Sequence, residues 1–273
     1  MEAGILLCAG FGTRLKPVTD SVPKPAVPFL GHPMVWYAMR AMRDAGITAL
    51  AANVHHLPDR MSDALARCAR SLDLPVPAIY TESGEILGTG GGARECARLL
   101  PDADRFVIHH GDVLCHADLR RALDEHVASG ADVSLILAPR PENSKLGMIG
   151  VDAQNRVAQI RDWKRPDAAN LRPACFTGIH IVERRVLESL PRDIPVCLVT
   201  ETYRARLERG LDIHAIPTAA FFADIGTPET YFAAQTDVMR APGLLPGADP
   251  SLFVADWNQL CYTMEVSALH GGA

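Results

Sequence analysis

The chain has 273 residues, 48% of them hydrophobic, with 27 lysines and arginines against 32 aspartates and glutamates. That length can bury one full hydrophobic core without a disulfide or metal staple, and a net charge of -5 argues against the broad basic face that duplex nucleic acid requires. Seven scattered cysteines, never spaced as Cys-x-x-Cys, argue against a disulfide framework and a structural zinc site and fit a reduced compartment. No basic leader followed by a long apolar segment opens the chain, and no apolar run is long enough to span a bilayer. A soluble cytoplasmic protein is expected, with small-molecule partners, no nucleic acid and no membrane; a homo-oligomer is compatible with this pattern.

In chain order, "GILLCA" is a short continuous apolar run ending before a glycine, the pattern of a strand covered on both faces. "HPMVWYAMRAMRDAG" follows as a helix closed by Gly46. The alternation repeats: "ITALAANVH" reads as a strand, and in "RMSDALARCARSL" the residues Met61, Leu65, Cys68, Ala69 and Leu72 share one helical face. "VPAIYTE" is extended again, "GTGGGARECARLL" is a loop and helix, "RFVIHHGD" a fourth strand and "ADLRRALDEHVASG" a fourth helix. Such alternation predicts a single Rossmann-like α/β domain, its mostly parallel sheet sandwiched by helices.

The second half changes character. "MIGVDAQNRVAQIRDW" reads as two short strands around a polar turn at Gln154 and Asn155, and "ACFTGIHIV" as a strand before the helix "RRVLESLP". "TETYRARLERG" is a further helix, "DIHAIPTAAFFADIG" a late extended stretch and "PETYFAAQTDVM" the last helix. This predicts a small antiparallel insertion lining one side of a domain over residues 1–240. Residues 241–273 are an extension rich in Pro and Gly, without a periodic signal. No hexapeptide repeat is present, so a single function is expected.

The loop "GFGTRL" fits neither common phosphate-loop template. A dinucleotide fingerprint needs a third glycine where Leu15 stands, and a Walker loop needs Gly-Lys-Ser/Thr. What remains is a run of small residues, Ala9, Gly10, Gly12 and Thr13, whose backbone N–H groups can face a cavity, with Arg14 beside them. Ten residues on, Lys24 lies between Pro23 and Pro25, which are expected to keep the segment extended. A stiff arm returning one ammonium to a glycine loop suits a polyphosphate held between them, although solvated loop charges account for the two residues equally well.

The stretch "LCAGFGTRLKPVTDSVPKP" resembles the signature of the sugar-1-phosphate nucleotidylyltransferases. "LGTGGGA", "GDVL", "FTGIHIV" and "FFADIGTPETY" follow in that family's order, so the resemblance covers most of the chain. It implies the nucleotide-diphospho-sugar transferase fold and transfer of a nucleoside monophosphate from an NTP to a sugar 1-phosphate. Further, it implies Mg²⁺ held by Asp112 and Asp224, Arg14 facing the departing phosphates, and Lys24 between the incoming phosphate and the α-phosphate. Those four residues form the implied catalytic set. Cys8, Ala9, Gly10, Gly12 and Thr13 make up the nucleotide-binding stretch, and the loop with Gly88 and Thr89 is the nucleobase loop, with Glu82 reading the base edge. A carboxylate there suits the N1–H and amino group of guanine better than the single N–H of uracil, which favours GTP.

For the sugar phosphate, the family's Glu-Lys-Pro is displaced here to "IRDWKRP", leaving Lys164 or Arg161 for that task, with Gly147, Thr177 and Gly178 at positions expected to face the sugar. A mannose- or heptose-type 1-phosphate is the first choice. The readings left open are a uridylyltransferase for a glucose or amino-sugar phosphate, a non-catalytic nucleotide-sugar-binding subunit, and a dinucleotide oxidoreductase. The paired histidines His55/His56 and His109/His110 read as structural, because neighbours on a strand point to opposite faces.

Overall fold

The computed structural model describes residues 1–140, 147–192 and 194–261. The first strand, β1 (Glu2–Leu7), is buried along Ala3–Leu6, and its continuous apolar run reflects cover on both faces. After it come α1 (Val18–Ser21), the two-residue strands β2 (Pro28–Phe29) and β3 (His32–Pro33), and α2 (Met34–Asp44). Next are β4 (Leu50–Val54), α3 (Pro58–Ser71), β5 (Ala78–Thr81), α4 (Gly88–Arg98) and β6 (Arg105–His110). The chain continues through β7 (Val113–Cys115), α5 (Leu119–Ser129), β8 (Val133–Pro139), β9 (Met148–Val151), β10 (Val157–Ile160), β11 (Trp163–Lys164) and β12 (Arg172–Glu183). It closes with α6 (Arg184–Glu188), a π-helical stretch (Leu198–Tyr203) running into α7 (Arg204–Glu208), β13 (His214–Pro217), β14 (Phe222–Asp224) and α8 (Pro228–Arg240).

One ten-stranded sheet runs β11-β10-β9-β12-β6-β1-β4-β5, with β8 added on β12 and β13 on β8. The stretch β6-β1-β4-β5 is parallel and helix-covered. From β12 outward the pairing is antiparallel, apart from the parallel pair β13–β8. The expected insertion is therefore continuous with the main sheet rather than a layer beside it. Because β4 flanks β1 on one side and β6 on the other, the strand order reverses at β1. In open α/β sheets the crevice for ligands opens at that point, beyond the carboxyl ends of the strands.

Two local features differ from the sequence expectation. Lys24 is not part of an extended arm: Pro23 is extended, but Lys24–Ala26 form a 3-10 turn. Pro25 is tolerated in that first turn because its missing N–H falls where no intrahelical bond would be made. Strand β8 is absent from the expected elements. Its run "VSLILA" is buried throughout, and periodicity alone does not separate such a run from a buried helix segment.

The expected turn at Gln154 and Asn155 is present, with Asn155 at φ 56° and the Asp152 carboxylate accepting from the backbone N–H groups of Gln154 and Arg156. Residues 241–261 pack onto the domain: Leu245, Leu260 and Cys261 join the cluster around Phe29 and Tyr231, and the Gln235 amide pairs with the Val254 backbone. Residues 262–273 of the expected extension lie outside the described residues.

Candidate active site

The carboxyl end of β1 leads into Ala9–Gly12, and the carboxyl end of β6 leads into Gly111 and Asp112. These two ends are fastened together by the Gly111 N–H, which donates to the Leu7 carbonyl at 3.0 Å. Gly111 has to be glycine, since a Cβ would stand 2.7 Å from Cys8 Sγ. The loop tip is set by Gly12 at φ 63°, where a Cβ would meet Lys24 Cβ at 2.8 Å. Small residues here thus serve close approach, and they bring the Lys24 turn onto the glycine loop.

Lys24 is 8% exposed, and its ammonium donates to Asp112 Oδ2 at 2.6 Å. Burial pushes the Asp112 carboxyl up, but the Lys24 charge, the neighbouring His110 and hydrogen bonds outweigh it and hold it below the usual carboxylate range. The stability this pair contributes is present above that range and is lost as pH falls through the depressed value.

Asp224 arrives from the other half of the chain. β14 pairs antiparallel with β7, and Asp224 stands opposite Val113, the residue after Asp112. The turn behind it is held by α8, where Thr227 caps the helix by accepting from the Thr230 N–H at 3.3 Å and Pro228 takes the first position. Gly226 packs on Arg14, as a Cβ there would lie 2.9 Å from Nη1. Arg14 and the Asp224 carboxylate make no ion pair among the described residues.

Two cavities meet over these residues. One, about 490 Å³, is lined by Ala9, Gly10, Gly12 and Thr13 from the glycine loop, by Phe11 and Asn53, and by Ile86, Gly88 and Thr89. The other, about 300 Å³, is lined by Gly147, Ile149, Arg161, Phe176, Gly178, Cys197, Phe222 and Asp224. Arg14, Lys24, Thr89, His110 and Asp112 line both.

Several expected site residues are placed elsewhere. Glu82 is buried and lines neither cavity: Oε1 accepts from Asn53 Nδ2 at 2.6 Å and Oε2 from the Leu87 N–H at 2.8 Å. Its carboxylate is committed to holding the 82–87 loop against β4, which removes the argument it gave for guanine. Cys8 is buried beneath the loop, its thiol pushed well up by burial and by Asp112. Thr177 falls in a bulge of β12, where its hydroxyl donates to the Ile136 carbonyl at 2.7 Å, turned away from the cavity that Phe176 and Gly178 line. Lys164 is exposed on the edge strand β11, opposite Gln159. Arg161, turned at φ 55°, lines the second cavity instead.

Gly92 packs against the Glu82 clamp, since a Cβ would clash with Asn53 Nδ2 and stand 2.9 Å from Glu82 Oε1. Gly92→Ala is expected to cost about 1–3 kcal/mol by overpacking and to loosen the 82–89 loop. Urea unfolding together with nucleotide affinity would check both effects; a stable variant with unchanged affinity would contradict them.

Cavity-lining residues that sequence reasoning did not single out include Asn53, Phe11, Phe176, Cys197 and His110. Of the adjacent pair on β6, His109 is fully buried and donates from Nδ1 to the His110 carbonyl at 2.8 Å, whereas His110 faces the cavities. Burial pulls His109 down to about 4, with the neighbouring His110 adding to the effect. The unfolded chain therefore binds protons that the folded protein refuses between about pH 6.5 and about pH 4. About 3 kcal/mol of stability is expected to be lost as pH falls through that window. Unfolding free energies measured between pH 7.5 and pH 4 should drop accordingly, and His109→Asn should flatten the slope; an unchanged slope in the variant would refute the assignment.

Among the described residues no group of three or more His, Cys, Asp or Glu side chains could enclose a metal ion. Asp112 and Asp224, which line the same cavity, nevertheless fit Mg²⁺, which is bound by one or two carboxylates with phosphate oxygens and water completing its shell. No helix among the described residues is long and apolar enough to cross a membrane.

Comparison with known proteins gives the family and the fold. A family model described as nucleotidyl transferase matches residues 3–241. The mannose-1-phosphate guanylyltransferase of Mycobacterium tuberculosis is 30% identical over 244 residues, covering 89% of this chain and 65% of that protein. The chain thus spans less than two thirds of that relative's length. The UTP–glucose-1-phosphate uridylyltransferase of Synechocystis is 26% identical over 278 residues, covering 94% of this chain and 71% of that protein. Among solved structures, HddC from Yersinia pseudotuberculosis shares the fold, with a TM-score of 0.68 at 23% identity over 86% of this chain and 98% of that one.

Proposed function

Since the chain belongs to the nucleotidyl transferase family, we propose that it transfers a nucleoside monophosphate from an NTP to a sugar 1-phosphate, with GTP and mannose 1-phosphate as the preferred pair. The observation that carries this reading is the junction of the two cavities. A nucleotide cradle lined by the glycine loop and a second chamber lined by the β9 and β12 residues share Arg14, Lys24, Thr89, His110 and Asp112. A reaction joining two phosphate esters needs such a shared wall, because both reacting phosphates must be neutralised at one point.

A phosphate oxygen of the sugar 1-phosphate attacks the α-phosphorus of the NTP in line. The bond from that phosphorus to the bridging oxygen breaks, and pyrophosphate leaves with the electron pair. No protein nucleophile is required, so positioning and charge neutralisation carry the catalysis. Lys24 neutralises charge between the two phosphates at the junction. Arg14, backed by Gly226 and free of a carboxylate partner among the described residues, is available to the departing phosphates. Asp112 and Asp224 would hold Mg²⁺, which supplies charge neutralisation on the triphosphate and polarises the α-phosphoryl group.

The choice of GTP and mannose rests on the guanylyltransferase relatives; Glu82, tied to Asn53 and Leu87, offers no support for it. The uridylyltransferase relative supports UTP and glucose 1-phosphate as the second reading. Pyrophosphate release from each NTP with a panel of sugar 1-phosphates tests both. The highest kcat/KM is expected for GTP with mannose 1-phosphate, a maximum at UTP with glucose 1-phosphate would favour the second reading, and no release with any pair would overturn the transfer activity.

A further inference from the structure

Behind the junction lies a buried polar chain that the reaction scheme above leaves unused. Tyr203, the last residue of the π-helical stretch, and His180 on β12 are both fully buried, and the Tyr203 hydroxyl lies 2.8 Å from His180 Nδ1. His180 Nε2 in turn lies 3.5 Å from His110 Nε2. π-Helical turns are uncommon and concentrate at functional sites.

The direction of these hydrogen bonds follows from satisfying the donors. A buried phenol proton needs an acceptor, and Tyr203 Oη has no other partner among the described residues, so it donates to His180 Nδ1. Burial keeps His180 neutral, and its one proton then sits on Nε2, directed at His110 Nε2. His110 must receive it on an unprotonated Nε2, which leaves its own proton on Nδ1. That nitrogen has no protein partner among the described residues and is not one of the sealed unpartnered atoms, so it opens to the cavity. The ring is held by the edge-on Phe176, 5.9 Å between centroids, and by Gly178, where a Cβ would stand 3.3 Å from the ring. His110 lines both chambers, but Phe176 and Gly178, which flank its ring, line only the second, so the ring stands against the wall of the sugar-phosphate side.

We propose that Tyr203, His180 and His110 form a directional hydrogen-bond relay that fixes His110 as an Nδ1–H donor to the phosphate of the sugar 1-phosphate. His110 then binds substrate directly, and Tyr203 and His180 are positioning residues acting through it. The ligand assignment rests on the proposed transfer reaction; the tautomer assignment does not.

The test has two arms. Long-range ¹H–¹⁵N spectra of the histidines in the ligand-free protein at mildly alkaline pH should show His110 protonated on Nδ1 and His180 on Nε2. Tyr203→Phe should abolish that preference, and inorganic phosphate should shift the His110 Nδ1 signal. An Nε2–H tautomer at His110, or a Tyr203→Phe spectrum like wild type, would overturn the relay whatever the substrate. In the kinetic arm, with GTP and mannose 1-phosphate, His110→Gln should raise KM for the sugar phosphate by about tenfold or more. His110→Asn, whose amide can stand where Nδ1–H stood, should retain most of the affinity. Equal losses in the two variants would overturn the donor role. Absence of activity in the wild-type protein would count against the transfer reading alone, since the spectra still decide the relay.

Discussion

Asp112→Asn is expected to lower kcat by about three orders of magnitude, with only a modest fall in the thermal midpoint from leaving the Lys24 ammonium without its anion. Asn has the same shape, and its carbonyl can still accept from Lys24, so the turn at Lys24–Ala26 keeps its anchor on β6. What disappears is the negative charge, which the proposed reaction uses to hold Mg²⁺ beside the triphosphate. The carboxylate is held below its usual range by Lys24 and His110 despite burial, so it is fully ionised at neutral pH in the parent protein. Steady-state kinetics at saturating Mg²⁺ and the melting temperature together make the measurement. A variant retaining near-parental kcat would remove Asp112 from the mechanism, and a variant that melts far earlier would assign it to the fold instead.

The second large effect concerns its partner. Lys24→Met is expected to reduce kcat by about two to four orders of magnitude, because it removes the one ammonium that, among the described residues, lines both cavities at the point where two anions must approach. The side chain of Met fills much the same volume, so the cost to stability is confined to leaving Asp112 without its cation. Asp112 is about a third exposed, so this cost is expected at about 1–2 kcal/mol, below that of breaking a sealed pair. Because the two residues are in contact, the double variant Asp112→Asn/Lys24→Met should lose far less than the product of the single losses. Multiplicative losses would contradict a shared role at the junction.

The parts of this site that sequence could supply share a physical reason. Strand and helix alternation, the apolar run of β1 and the Gly-Asp ending of β6 are local patterns, and the sheet edge follows from them. That Asp112 and Asp224 line one cavity follows from the long-range β7–β14 pairing, which only the motif resemblance could anticipate. Side-chain direction was the weakest inference. Thr177 is turned inward by a bulge that nothing in "FTGIH" announces, and Lys164 is displaced in favour of Arg161 because Arg161 takes a positive φ at the β10–β11 turn.

Glu82 shows a different failure. Its chemistry suits base reading, but a buried carboxylate must be satisfied, and Asn53 and the Leu87 N–H satisfy it first. His110 was legible in part: alternation along β6 separates it from His109, yet only the position of β12 shows which of the two faces the cavity. Strand β8 is not fixed by its own sequence, because a fully buried continuous run reads equally as a strand or a buried helix segment.

The central claim is that the triphosphate and the sugar phosphate meet at the junction lined by Arg14, Lys24, His110 and Asp112. A crystal structure of the protein with Mg²⁺ and a non-hydrolysable GTP analogue tests it most directly. The expected result is a triphosphate on the Ala9–Arg14 loop, its metal held by Asp112 and Asp224, and Lys24 drawn from Asp112 toward the α-phosphate. A nucleotide bound away from that loop, or one bound there with the two aspartates taking no part in holding the metal, would contradict the account.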